Sequence, residues 1–229
     1  MAQYFTDFSD VVIGDFTARW VTSNVTYSIE DDAGATGGKV LRAAMTSSAR
    51  RLLSWNTIDS DGDRDDFEIL IRSRVSVDTT GQYAGCGGRG AGSASSESGY
   101  ATWLYDAANQ RIGKYNAGSF SALASTSLDY AADTWYWTRF RVEGSAIKVK
   151  RWSGAIGDEP GTWTIETTDA DVTAAGWVGL SGFGIATHEW DVCGVGTNGD
   201  TAPHEAVAGS GISHPFSGPF KGPMAGPFG

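Results

Sequence analysis

Two acidic strings in this chain are spaced for chemistry. The first is Asp59-Ser60-Asp61-Gly62-Asp63-Arg64-Asp65-Asp66, with Asp59, Asp61, Asp63 and Asp65 at alternate positions. A tight loop of aspartates supplies the roughly six to eight oxygens that calcium takes. The helix-loop-helix calcium pattern would need Gly at the sixth position and Glu at the twelfth, where Arg64 and Leu70 stand. Calcium could be held here, or the string is a solvated acidic turn before a strand; no cofactor is required. The second string is Glu189-Trp190-Asp191-Val192-Cys193-Gly194. Residues i and i+2 of a strand share a face. Cleaving a glycosidic bond takes two carboxylates, an acid and a nucleophile, about 5 Å apart in retaining enzymes. Solvated or turn-capping carboxylates would explain the string as well. His188, His204 and His214 assemble no convincing Ser-His-Asp arrangement, and no GxSxG elbow, phosphate loop or His-Glu-x-x-His occurs.

The elements that must carry these residues read as strands. In Phe67-Glu68-Ile69-Leu70-Ile71-Arg72-Ser73-Arg74-Val75, one face takes Phe67, Ile69, Ile71 and Val75 and the other takes Glu68, Arg72 and Arg74. That alternation predicts a half-buried strand of an antiparallel sheet. Residues 135–152 predict a hairpin turning at Gly144-Ser145, with Tyr136, Phe140, Val142, Ile147 and Val149 inward. Its other face holds Trp137, Arg139, Arg141, Lys148, Lys150 and Trp152. A dozen or so short strands separated by Gly, Asn and Asp, with almost no helical periodicity, predict an all-β, two-sheet antiparallel sandwich.

Sugar sites pair flat aromatic rings with polar groups. Candidate glycan-binding residues are therefore Trp103, Tyr105, Arg111, Tyr115, Trp137 and Arg139, read as lining one groove. Core or inter-subunit packing is the competing explanation for such aromatics. The stretch 85–99, rich in Gly and Ser, reads as a flexible loop at the rim.

The 229 residues carry 27 acids against 17 Lys and Arg, a net charge of -10. That excludes a basic footprint for nucleic acid. No apolar run is long enough for a membrane helix, and the N-terminus shows no secretory pattern. Cys86 and Cys193 read as reduced, partly buried thiols, with a disulfide left open.

Near residue 203 the character changes, which divides the chain into a sandwich over 1–203 and a tail over 204–229. The tail ends Pro215-Phe-Ser-Gly, Pro219-Phe-Lys-Gly, Pro223-Met-Ala-Gly, Pro227-Phe-Gly. Proline at every fourth position excludes a helix and a central strand. Phe216, Phe220, Met224 and Phe228 form a spaced row of apolar anchors, suited to docking on a neighbouring subunit. A partly collapsed linker is the alternative.

WYWTRFRVEGSAIKVKRW at 135–152, DFEILIRSRV at 66–75 and the closing WDVCGVGTNGDTAP resemble the concanavalin A-like lectin/glucanase superfamily, in its laminin G-like branch. The resemblance spans about residues 5–203. It implies a jelly roll whose first and last strands pair, with ligand sites on the concave face or its rim. The branch is common in phage structural proteins. A virion component made in the host cytoplasm, homo-oligomeric and fastened to other virion subunits by its tail, is therefore expected. A carbohydrate-binding adhesin for a host-surface glycan is the alternative, and a hydrolase a third reading. Against the hydrolase, the glucanase pattern Glu-x-Asp-x-x-Glu finds Gly194 in place of its last acid, and Asp66-Phe67-Glu68 meets Ile71 where a further acid is needed.

Overall fold

Alternating apolar side chains leave water by facing a second sheet. The computed structural model describes residues 2–59, 65–77, 81–106, 109–128 and 130–206, with backbone alone for 104–106. Its strands are β1 (Gln3–Thr6), β2 (Phe16–Trp20), β3 (Val25–Asp31), β4 (Lys39–Met45), β5 (Arg51–Trp55), β6 (Phe67–Val75), β7 (Tyr83–Ala91) and β8 (Ser98–Asp106). There follow β9 (Asn109–Asn116), β10 (Ser119–Ser127), β11 (Tyr136–Glu143), β12 (Ala146–Ser153), β13 (Ile165–Thr168), β14 (Trp177–Phe183) and β15 (Thr187–Thr197). The first sheet runs β13-β12-β11-β6-β15-β4-β3, and β1 pairs with the later half of β15. The second runs β10-β9-β8-β7-β14-β5-β2. All named pairings are antiparallel, and the first strand meets the last as expected.

The core lies between the sheets. Ile69, Ile71, Phe140, Val142, Ile147 and Val149 of the first sheet face Leu53, Cys86, Tyr100, Ile112, Val178 and Leu180 of the second. The hairpin forms as predicted, with Glu143 opposite Ala146 and Gly144 at a φ of 53°. Cys86 and Cys193 are free and buried. Burial drives the Cys193 thiol up to about 12 and the Cys86 thiol well above its ordinary value, so neither is a nucleophile at neutral pH.

Two expectations fail here for physical reasons. Strand β6 is not half-exposed. Segments 154–160 and 200–203 fold over the outer face of the first sheet, where Leu70, Trp137, Trp152, Val192 and Ala202 form a second apolar layer. Nor is 85–99 a loop. Gly85, Gly87, Gly88 and Gly90 belong to strand β7 and Gly99 to β8, and only residues 92–97 turn. A Cβ on Gly88 would stand 2.3 Å from the Phe67 ring, so this strand passes too close to β6 to carry a side chain there.

His188 of β15 is fully buried, with Nε2 3.0 Å from the Phe183 carbonyl oxygen. Burial lowers its pKa to about 4. The unfolded chain takes up that proton near pH 6.5, so the fold's advantage is complete above that value and lost as pH falls through about 4. Chemical denaturation at stepped pH should show a loss of about 3 kcal/mol from this residue between pH 7 and pH 4. His188→Gln should flatten that part of the profile.

Candidate functional site

The outer face of the second sheet carries an aromatic cluster. Alternation along β7, β8, β9 and β14 brings Tyr83, Trp103, Tyr115 and Phe183 to the face opposite the core. Trp103 stacks on Tyr83 with centroids 4.7 Å apart and on Tyr115 at 6.1 Å. Tyr83 also stacks on Phe183 at 5.5 Å, and Phe120 of β10 leans on both Trp103 and Tyr115. Trp20 closes the far side, edge-on to Tyr115. The Trp103 ring lies flat because nothing rises beneath it: a Cβ on Gly113 would stand 2.3 Å from its Cη2.

Above this floor sits a cleft of about 190 Å³ lined by Arg50, Tyr83, Trp103, Arg111, Tyr115, Phe120 and Phe183. It shares Arg50 and Phe183 with a wider hollow of about 550 Å³, whose lining includes Ser48, Ser95, Glu97 and Ser119. Together they reach the roughly 300–1,000 Å³ typical of ligand sites. The floor rings are buried, whereas Phe120 is 39% exposed and offers the open ring.

Arg50 stands between the two hollows. Its Nη1 donates to Glu97 Oε1 at 2.5 Å and to the Gly118 carbonyl at 3.0 Å, and its guanidinium lies 5.0 Å from the Tyr115 ring. Glu97 is 2% exposed, and its Oε2 meets no donor among the described residues. The Tyr83 and Tyr115 hydroxyls lie 3.3 Å apart. Burial pushes Tyr115 up to about 12 and Tyr83 well above its usual value, so both phenols stay protonated at neutral pH.

The structure thus gathers Trp103, Arg111 and Tyr115 into one cleft. Tyr105 lies on β8, with its side chain outside what is described. The expected single groove is corrected for the other two residues, because Trp137 and Arg139 belong to the other sheet. Trp137 is buried against Trp152, at 6.1 Å between centroids. Arg139 donates to Glu68 at 2.5 Å, to Glu159 at 2.7 and 2.9 Å, and to the Ala202 carbonyl. Sequence reading missed Tyr83, Phe183 and Arg50. The first two were legible in principle, since each alternates with inward residues on its strand.

The acidic strings are engaged elsewhere. Glu189 accepts from Arg42 and Arg74, and Asp191 from Arg72 and from the Thr36 amide and hydroxyl. Glu68 accepts from Arg139, Arg141 and the Ala202 amide. Asp59 is held by Arg19 at 3.0 Å and Ser54 at 2.8 Å, and the Asp65 carboxylate caps the Asp66 amide. Asp61 and Asp63 lie outside the described residues, as do Phe216, Phe220, Met224 and Phe228. Among the described residues no group of three or more His, Cys, Asp or Glu could hold a metal ion.

No family model and no curated relative matches this chain. Solved structures do. The carbohydrate binding module CBM66 from Bacillus subtilis superposes with a TM-score of 0.53 at 17% identity, over 73% of this chain and 92% of that one. The metal-free exoplasmic/lumenal domain of VIP36 gives 0.54 at 14%, over 86% and 91%. A native glycosidic hydrolase gives 0.52 at 11%, over 88% and 98%. The chain has the concanavalin A-like sandwich fold. Within this fold the cleft occupies the outer face of the sheet that contains the glycine-rich β7.

The flat seat of Trp103 is testable. Gly113→Ala should force Trp103 or Phe120 to move, cost about 1–3 kcal/mol in stability and change the tryptophan emission. An unaltered melt and spectrum would show that the ring has room to spare.

Proposed function

We propose that this chain is a carbohydrate-binding protein that holds a glycan in the cleft of its second sheet. The observation that carries the reading is the stacked floor of Tyr83, Trp103 and Tyr115 beside an exposed Phe120 and a fixed Arg50. An aromatic surface takes the apolar face of a sugar ring, while Arg50, Glu97 and the serines of the wider hollow meet its hydroxyls. Fold neighbours that are carbohydrate-binding by name support the reading. Binding is favoured over hydrolysis because Glu68, Glu189 and Asp191 are each held by arginine on the opposite sheet.

On this reading the tail over 204–229, with its row of Phe216, Phe220, Met224 and Phe228, attaches the sandwich to a larger assembly. A virion that displays the sandwich towards a host-surface glycan is the setting the sequence suggests.

A glycan array followed by calorimetry on the full chain tests the cleft. Phe120→Ala, at an exposed position, should weaken binding of the selected oligosaccharide about tenfold, equivalent to about 1.4 kcal/mol, with little change in melting temperature. Arg50→Gln should weaken it as well. Glycan binding indifferent to both substitutions would place the site elsewhere.

A further inference from the structure

The smaller compartment of the cleft is unusual in what it lacks. Its described lining carries no carboxylate, no amide and no aliphatic hydroxyl. Its side-chain acceptors are the two tyrosine oxygens, which already lie within reach of each other. Its donors are more numerous. Arg50 and Arg111 both line it, Arg111 with a partner of its own. Both Arg50 bonds described above leave from Nη1, so Nη2 can serve a ligand. Trp103 adds an indole Nε1 that is buried and meets no acceptor among the described residues.

A neutral sugar suits such a pocket poorly. Each hydroxyl is both donor and acceptor, and its proton would find few partners here. Leaving buried polar groups unpaired is costly. A group that only accepts suits it well, and guanidinium matches a carboxylate or a sulfate in geometry and charge. We infer that the aromatic compartment takes a sugar unit bearing an anionic group, a carboxylate or a sulfate ester, placed against Arg50.

This rests on the glycan cleft proposed above and narrows its ligand to acidic saccharides. The neighbouring hollow differs in character. Ser48, Ser95 and Ser119 can exchange hydrogen bonds with the hydroxyls of an adjoining unit, beside a buried Glu97 oxygen that meets no donor among the described residues. Glu97 also holds Arg50 from behind and acts as a positioning residue. Attraction of an acidic saccharide would be local in origin. The whole chain carries a net charge of -10, which repels polyanions at long range.

Calorimetry on the full chain with three oligosaccharides of equal length decides the matter: one neutral, one built of uronic acids, one sulfated. An acidic oligomer should bind at least about tenfold tighter than the neutral one, and Arg50→Gln should shrink that preference to about threefold or less. Which acidic oligomer is preferred identifies the carboxylate or the sulfate as the recognised group. If the neutral oligomer binds as tightly, and Phe120→Ala still weakens it, the glycan cleft stands and the anionic preference is overturned. If none of the three binds, both fail.

Discussion

Trp103 lies across a strand that has no side chain beneath it, and the cleft follows from that fact. A Cβ at Gly113 would collide with the indole, so the ring rests directly on backbone and its plane follows the sheet. Tyr83 and Tyr115 stack on the ring, Phe183 stacks on Tyr83, and Phe120 leans in from β10. With a larger residue at position 113 the same aromatics would have to stand up from the sheet and fill the hollow they now floor. Gly88 serves a related end inside the sandwich, where it gives room to Phe67 from the opposite sheet. In both places glycine lets an aromatic ring approach backbone that any side chain would hold away.

The outer face of the first sheet meets water by a different route. There Arg72 and Arg74 flank Trp135, while Arg139 and Arg141 share Glu68. Burying these charges is tolerable because each carboxylate has several donors. Glu68 accepts from two guanidinium groups and one amide, and Asp191 from one guanidinium and both donors of Thr36. The two outer faces divide the labour. One spends its polar groups on itself and is closed by segments 154–160 and 200–203 folding over it. The other keeps Arg50 and Glu97 at an opening.

That division explains what was legible in the sequence. Alternation found the strand Phe67–Val75, the hairpin turning at Gly144 and the sandwich as a whole, because period two is fixed by the backbone. It also placed Trp137 and Arg139 on the outward face of the hairpin, where they stand. It could not tell an outward face that stays open from one that segments 154–160 and 200–203 cover. The covering chain is close in sequence for Trp137, whose indole donates to the Gly154 carbonyl, but remote for Glu68, which meets the Ala202 amide. The acidic pair at 189 and 191 misled for the same reason, since Arg42, Arg72 and Arg74 are over a hundred residues away. Strand β7 misled through composition. Glycine reads as loop in isolation, and only the packing of its neighbours makes it strand.

The cleft's polar edge is set by the core. Arg50 and Arg51 are consecutive, and successive residues of an extended chain point to opposite sides. Arg51 turns inward and is 1% exposed, donating to the carbonyls of Ser23, Asn24, Ser47 and Ala49. It thereby ties together the two connections that flank β3 and β4 at this end of the sandwich. Arg50 turns outward from the same backbone and reaches Glu97 and Gly118. The freedom of Arg50 is therefore limited at its root by a buried cation that is held by four carbonyls. On the other side of the cleft, His188 fixes the Phe183 carbonyl from within. Both walls of the opening are anchored to polar groups sunk in the core, so the hollow is held open by the fold before any ligand arrives.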